Sequence, residues 1–190
     1  MSIHPTSIID PSAKIAKDVQ IGPFCTIGED VQIESGSKII SHAVIKGPTV
    51  IGKDNCIYQF STIGDDTPDK KFKGEKTKLI IGDNNIFREG VTVHRGTVQD
   101  NSVTTIGSNN LFMPFAHVAH DCIVGNDNIF ANLAALAGHV HVGNNVTIGG
   151  ITTVHQQYVC QPHIHLRLYC LLQLIHVHYF LRIFLIQARQ

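Results

Sequence analysis

The sequence predicts an all-β protein, a parallel β-helix whose triangular coils are built from six-residue repeats. Isoleucine occupies every sixth position from Ile3 to Ile63, and a second apolar run with the same spacing extends from Ile106 to Val154. A period of six is neither the period of a helix nor that of an ordinary strand, and it is typical of hexapeptide repeats. Glycine follows many of these apolar residues, and turn sequences such as GDNN, GSNN, GNDN and GNNV recur between them. Tight corners favour these residue types.

Three repeats are expected to form one coil, and successive coils should stack at roughly 4.8 Å, the spacing of neighbouring strands. The recurring apolar residue of each repeat should point inward and stack on its counterpart in the next coil. Burying each such side chain contributes about 1.5–3 kcal/mol before entropy is subtracted. We therefore expect a β-helix over residues 1–156, with Ile27, Ile45 and Ile63 buried inside it.

Two segments leave the repeat and are predicted to bulge from a corner of the coil. Residues 65–79 (DDTPDKKFKGEKTKL) are polar and carry five lysines, and residues 95–105 (RGTVQDNSVTT) separate His94 from Ile106. Long loops on a rigid scaffold are usually functional or disordered. The lysines of the first loop favour binding of a phosphate group. A solvated surface loop is the open alternative.

After His155 the pattern stops, and residues 157–190 contain no Gly, Asp, Glu, Asn, Ser, Thr or Lys. Three interpretations compete for this apolar tail. Residues 166–186 have the length of a membrane span, but Arg167 and Arg182 interrupt it at a cost that argues against stable membrane insertion. The tail could instead cover the open end of the β-helix. The interpretation that we favour is an out-of-frame translation of a chain that should continue with more coils.

Composition excludes several classes of function. The formal net charge is zero and charged residues make up 16% of the chain, so no basic surface for nucleic acid is expected. The start, MSIHPTSIIDPS, lacks the basic and apolar regions of a signal peptide. Five cysteines form an odd set without a CxxC motif, which indicates reduced thiols and a cytoplasmic protein.

Histidines on successive repeats are the candidate chemical groups. They lie in the segments VHRGT, AHVAHDC, LAGHVHVG and TVHQQ, and their spacing of about one coil predicts a column along one edge of the helix. A lone outward histidine is usually only surface, but a column beside a lysine-rich loop favours a site. A neutral imidazole could act as a general base on a hydroxyl group. Alternatively, three histidines could bind zinc for hydration chemistry.

The ordered set HRGT, AHVAHD, LAGH and VHQ, together with IGPFCTIG and the DKKFKGEKT loop, resembles the UDP-N-acetylglucosamine O-acyltransferases over about residues 3–156. The resemblance implies a left-handed coil and a homotrimer with sites between subunits. It also implies transfer of a 3-hydroxyacyl chain from acyl carrier protein to the 3-hydroxyl of UDP-N-acetylglucosamine, the first step of lipid A biosynthesis. Neither a cofactor nor a metal is implied.

The same resemblance assigns roles to residues of this sequence. His120 would be the catalytic base, Asp121 the carboxylate linked to it, and Gly138 the donor of an oxyanion N–H. Adjacent strand residues normally point apart, so this pairing requires a corner conformation at 120–121. The substrate-binding residues would be Asp69, Lys71, His94, His117, His139, His155 and Gln156.

Two alternatives stay open, the first because of the tail and the second because of the histidines. The family continues with further coils and a helical C-terminal domain, and neither is recognisable after Gln156. A truncated inactive copy or a non-catalytic β-helical scaffold is therefore the first alternative. A metal-dependent β-helix that resembles carbonic anhydrases is the second.

Overall fold

The computed structural model describes residues 2–166, which form short parallel strands joined by tight corners and two loops. Each strand pairs with the equivalent strand of the coils before and after it, so three parallel sheets run along the molecule. Within the described residues there is no helix. The chain is a left-handed parallel β-helix with triangular coils, which confirms the predicted fold class.

The strand bounds follow the repeat. The first sheet comprises β1 (Ser2–Ile3), β4 (Gln20–Ile21), β7 (Lys38–Ile39), β10 (Cys56–Ile57), β13 (Ile86–Phe87), β16 (Leu111–Phe112), β19 (Ile129–Phe130), β22 (Thr147–Ile148) and β25 (His165–Leu166). The second comprises β2 (Ile8–Ile9), β5 (Thr26–Ile27), β8 (Val44–Ile45), β11 (Thr62–Asp65), β14 (Thr92–His94), β17 (His117–Val118), β20 (Ala135–Leu136) and β23 (Thr153–Val154). The third comprises β3 (Lys14–Ile15), β6 (Val31–Ile33), β9 (Thr49–Ile51), β12 (Lys78–Ile81), β15 (Val103–Ile106), β18 (Ile123–Val124), β21 (His141–Val142) and β24 (Val159–Cys160).

The core is the stack of inward residues that the period predicts. Ile27, Ile45 and Ile63 are at most 1% exposed and lie in register on neighbouring strands of the second sheet. In the first sheet the isoleucine column gives way to stacked phenylalanine rings, with centroids 4.9 Å apart for Phe87 and Phe112. The expected inward stacking is therefore confirmed.

Asparagine side chains hold the corner between the third and first sheets. The backbone N–H of Asn85 donates to Oδ1 of Asn55, that of Asn110 to Asn85, and that of Asn128 to Asn110, each at 2.9 Å. The separations along the chain are 30, 25 and 18 residues, so two of these coils contain extra chain. The buried ladder stays in register because the extra residues leave the coil at a different corner.

That different corner joins the second sheet to the third, and both loops leave from it. The first loop runs over residues 66–77, between β11 and β12, and the second over residues 95–102, between β14 and β15. Both are slightly shorter than the sequence predicts, because the flanking strands extend into the irregular sequence. The extension pairs all four residues of Lys78–Ile81 with Val103–Ile106.

The strand pairing continues past residue 156, where the sequence predicts the β-helix to end. β24 pairs with β21, and β25 pairs with β22. Val159 and His165 thus take the outward positions of two more repeats, and Cys160 is buried. The rest of the predicted tail, 167–190, lies outside the described residues. No helix within residues 2–166 is long and apolar enough to cross a membrane.

Candidate active site

The predicted site residues lie mainly at the corner between the second and third sheets. We call the turns 119–122, 137–140 and 155–158 of three successive coils the histidine corner. The N–H of His139 donates to the carbonyl of His120 at 3.0 Å, and that of Gln157 to the carbonyl of Gly138 at 3.2 Å. These bonds place His120, Gly138 and Gln156 one above the other.

His120 and Asp121 form a hydrogen-bonded pair. His120 Nδ1 lies 2.8 Å from Asp121 Oδ2, although the two residues are adjacent in sequence. The contact is possible because Asp121 has a φ of 58°, in the left-handed region. This corner conformation is the one that the pairing requires. In the neutral ring, a carboxylate beside Nδ1 favours the tautomer with the proton on Nδ1, in which Nε2 is an acceptor.

The carboxylate of Asp121 is almost completely buried, with 3% of the residue exposed. Its Oδ1 accepts the backbone N–H of Thr97 at 2.8 Å, and its Oδ2 accepts the Thr97 hydroxyl at 2.6 Å. The Asp121 N–H donates to Oγ1 of Thr104 at 2.8 Å. A buried carboxylate needs hydrogen-bond partners to offset the loss of water. Thr97 and His120 are the partners of Asp121.

The ring of His120 lies directly over Gly138. A Cβ built on Gly138 would be 2.6 Å from Cε1 and 2.7 Å from Nε2 of His120, so any side chain there would displace the imidazole. Among the described residues, no hydrogen-bond acceptor meets the backbone N–H of Gly138. A backbone donor without a partner among the described residues therefore lies beside Nε2 of His120.

His139 stands edge-on to His120, with ring centroids 5.1 Å apart. Its Nδ1 lies 2.9 Å from Oδ2 of Asp100, which belongs to the second loop. Its Nε2 is 3.9 Å from Oδ2 of Asp121. The second loop thus contacts His139 through Asp100, and it contacts Asp121, the partner of His120, through Thr97.

His94 and His117 extend the row onto the second sheet. Their rings meet edge to face with centroids 5.2 Å apart, and His117 Nδ1 lies 2.7 Å from Oγ1 of Thr92. Burial, reinforced by the neighbouring His117, lowers the pKa of His94 to about 4. Burial, and then the proximity of His120, also lowers the pKa of His117. Both imidazoles are consequently neutral at neutral pH.

Of the predicted substrate-binding residues, Asp69 and Lys71 are not brought into this cluster, whereas His155 and Gln156 lie at its exposed end. Asp69 and Lys71 lie on the first loop, where the Lys71 N–H donates to the Asp69 carboxylate at 2.9 Å. Within residues 2–166 neither residue forms a hydrogen bond or ion pair with the histidines. His155 and Gln156 are exposed on the last turn of the histidine corner, with His155 Nδ1 3.2 Å from the Gln156 carbonyl.

Sequence reasoning assigns no role to Arg95, Thr97, Asp100 or Thr104, which the structure places around the site. The signal was available in the motif HRGT, which contains Arg95 and Thr97. Nη1 of the buried Arg95 donates to the carbonyls of Gly47 and Gly64 at 2.8 and 2.7 Å, and Nη2 pairs with Asp66. The guanidinium therefore ties the starts of both loops to the coil.

One group of potential metal ligands lies at the same place. One ligand atom each from His120, Asp121 and His139 lie within 4.8 Å of one another. Imidazole and carboxylate are suitable donors for zinc. However, Oδ2 of Asp121 already accepts hydrogen bonds from Thr97 and His120, so an ion would have to replace existing contacts.

Two family models match the chain. Residues 3–108 match the GMPPB C-terminal domain, and residues 104–138 match the bacterial transferase hexapeptide model of six repeats. The first match ends before His117 and therefore does not include His120, Asp121 or Gly138. The second includes the turn that holds His120 and Asp121.

Individual known proteins are also similar to this chain over most of its length. The acyl-[acyl-carrier-protein]–UDP-N-acetylglucosamine O-acyltransferase of Saccharophagus degradans is 64% identical over 133 residues, which are 70% of this chain and 52% of that protein. LpxA from Acinetobacter baumannii is 57% identical with a TM-score of 0.80, over 81% of this chain and 60% of its own. LpxA of Bacteroides fragilis, a UDP-N-acetylglucosamine acyltransferase, is 35% identical with a TM-score of 0.69, over 86% of this chain and 70% of its own. The chain spans 52% to 60% of the length of curated relatives of this name.

Proposed function

Because the chain belongs to the UDP-N-acetylglucosamine O-acyltransferase family, we propose that it transfers a 3-hydroxyacyl chain from acyl carrier protein to the 3-hydroxyl of UDP-N-acetylglucosamine. This reaction is the first step of lipid A biosynthesis. The observation that carries the proposal is the His120–Asp121 pair, with its ring held over Gly138.

The proposed mechanism uses the two nitrogen atoms of the His120 ring. Nδ1 donates to Asp121, so Nε2 accepts the proton of the sugar hydroxyl as its oxygen attacks the thioester carbonyl. A C–O bond forms, and the negative charge on the carbonyl oxygen is stabilised by the N–H of Gly138. The C–S bond then breaks, and the thiolate of the carrier protein's prosthetic group takes the proton back from His120.

Neutral histidines suit the remaining contacts of the acceptor. His94 and His117 would bind sugar hydroxyls as neutral donors or acceptors, since burial holds down the pKa of both. His139 would bind a further hydroxyl of the acceptor. We assign the hydroxyls and the phosphate side also to Asp69 and Lys71. We assign the diphosphate to His155 and Gln156, which lie exposed at the same corner.

We further propose a homotrimer in which each site lies between two subunits. The loop with Asp69 and Lys71 leaves the coil two layers before His120, about 10 Å away along the axis at the usual strand spacing. In a single chain the site is incomplete, which supports a contribution from a neighbour. Large exposed apolar side chains also line the corner between the first and second sheets, where they would be covered in an assembly: Phe24, Phe60, Phe115, Leu133 and Ile151.

We propose that the reaction takes place in the cytoplasm. The cysteines of the described residues are free: Cys25, Cys56, Cys122 and Cys160. Burial raises the pKa of the Cys122 thiol to about 12 and that of Cys160 to about 11. Such thiols resist oxidation, and disulfides are rare in the cytoplasm.

The test measures acyl transfer to UDP-N-acetylglucosamine by the purified chain and by its His120→Ala variant. Loss of the base is expected to lower kcat/KM by about 10²–10⁴-fold, while the acceptor still binds. His4→Ala is the matched control, because His4 is exposed in the first coil. A loss below about tenfold for His120→Ala would contradict the base assignment.

Two other functions make different predictions in the same preparation. An inactive copy or scaffold shows no acyl transfer when both the donor and the acceptor are present. A metal-dependent hydration enzyme contains about one zinc per site, bound by groups such as His120, Asp121 and His139. Elemental analysis of the purified protein separates this last function from the other two.

A further inference from the structure

The second loop folds back over the histidine corner, and Thr97 touches Asp121 twice. Its backbone N–H donates to Oδ1 at 2.8 Å and its hydroxyl donates to Oδ2 at 2.6 Å. Thr97 is 2% exposed and Asp121 is 3% exposed, so water does not substitute for these bonds in the folded protein. They connect residues 24 positions apart in the sequence.

The two bonds determine the orientation of the carboxylate. With Oδ1 and Oδ2 both held by Thr97, the plane of the Asp121 carboxylate cannot rotate, and Oδ2 faces Nδ1 of His120 at 2.8 Å. The direction of His120 Nε2 depends on this contact, because an unrestrained imidazole would turn about its side-chain bonds. Thr97 thus controls the direction of His120 through Asp121.

The loop that carries Thr97 is itself firmly held. The Gly96 N–H donates to the Lys78 carbonyl at 3.1 Å, and a Cβ at Gly96 would be 2.3 Å from the backbone N of Val103. The N–H of Ser102 donates to the Thr97 carbonyl at 3.1 Å. The buried Arg95 fixes the start of the loop through its two bonds to backbone carbonyls.

We propose that Thr97 is a positioning residue for the His120–Asp121 pair, which explains the threonine of the HRGT sequence. The inference rests on the proposed acyl transfer for its effect on rate. Its geometric part, the orientation and tautomer of His120, can be measured without any activity. Thr97 is not expected to contact substrate, since it is buried beneath Asp121.

The experiment compares Thr97→Val and Thr97→Ala with Thr97→Ser, which keeps the hydroxyl. Removing the hydroxyl is expected to lower kcat by about 10–100-fold, the factor for one hydrogen bond to a charged group, with KM unchanged. Thr97→Ser should restore kcat to within about threefold of the unmodified chain, a residual cost well below that of the lost bond. Thr105→Val is the control, because Thr105 lies on the same strand as Thr104 but outside the contacts to Asp121.

The second readout is the nitrogen NMR spectrum of the His120 ring. The unmodified chain should show His120 with its proton on Nδ1, and the valine and alanine variants should show a mixture of tautomers. A proton on Nε2 in the unmodified chain would overturn the proposal, as would valine and alanine variants with unchanged spectrum and rate. A serine variant as slow as valine would also overturn it. If the unmodified chain transfers no acyl group, the proposed function fails, and the spectrum alone decides the inference.

Discussion

His94 and His117 form a half-buried imidazole pair, and the fold opposes the protonation of either ring. The rings meet at 5.2 Å, and His94 Nδ1 has no hydrogen-bond partner among the described residues. A proton on either ring would place a positive charge beside the other and away from water. The pair is therefore suited to contact uncharged hydroxyl groups, and it makes the folded state sensitive to acid.

The pH dependence of stability tests this sensitivity. The pKa of His94 is about 4 in the folded protein and 6.5 when unperturbed, so the unfolded chain binds a proton that the folded chain does not. Stability should be complete above about pH 6.5 and fall as the pH is lowered toward 4. In urea unfolding at pH 7.5 and pH 5, His94→Gln should lose less stability on acidification than the unmodified chain. His4→Gln should lose as much as the unmodified chain, and an equal loss in all three would contradict the prediction.

The regular repeats and their turns are the part of the structure that the sequence predicts. The period of six predicts the larger inward residue of each repeat. It does not predict the second buried residue, which is usually smaller and lies two positions earlier, as at Cys25 and Ala43. The sequences GDNN, GSNN, GNDN and GNNV form the predicted turns, with positive φ at Asn84, Asn109, Asp127 and Asn145. The motif order also identified His120, Asp121 and Gly138, which the structure brings together.

The sequence pattern does not predict the contacts that the two irregular loops make. Thr97 and Asp100 reach Asp121 and His139 from residues that follow no repeat, and no local pattern indicates which corner a loop folds onto. The strands β24 and β25, which follow position 156, keep the outward–inward alternation without the glycine or asparagine corners from which the sequence predicts a coil. Backbone pairing with the preceding coil is sufficient to form these two strands.

The asparagine ladder is the element whose loss should be most costly to the coil. Asn110 Nδ2 donates to Oδ1 of Asn85 and to the Gly125 carbonyl, and its Oδ1 accepts the N–H of Asn128. Asn110→Ala leaves buried polar groups on both sides without partners, so we expect a loss of about 2–4 kcal/mol in the free energy of unfolding. Chemical denaturation measures it. Asn101→Ala, at an exposed loop position, should change stability by less than about 0.5 kcal/mol, the usual range for surface substitutions.

At the scale of the whole molecule, one edge of the prism is unusually apolar. Phe24, Phe60 and Phe115 are 58%, 66% and 61% exposed, although the turn residues with positive φ at the other two corners are polar or glycine. His42 lies between the first two rings, with centroids 4.9 and 5.5 Å away. A continuous exposed apolar surface of this kind usually marks an interface. A second copy of the chain is the partner that the proposed trimer supplies.

Removing this surface should therefore weaken the assembly. Phe60→Ser combined with Phe115→Ser is expected to shift the sedimentation equilibrium from trimer toward monomer without changing the circular dichroism spectrum. Ile80→Ser is the control, because Ile80 is 43% exposed on the outer face of the third sheet. If the unmodified chain sediments as a monomer, the trimer is wrong. If the double variant stays trimeric, the interface lies on another surface.

The asparagine ladder links partners 30, 25 and 18 residues apart with the same bond length. The position of a residue along the helix axis therefore depends on the number of coils before it and not on the length of the corner loops. A peptide grafted at Gly74, where the chain has open space around it, would lengthen the polypeptide and leave every layer at its own level. The family could on this basis vary what its corners recognise while keeping one architecture, since new recognition segments would not require the core to be rebuilt.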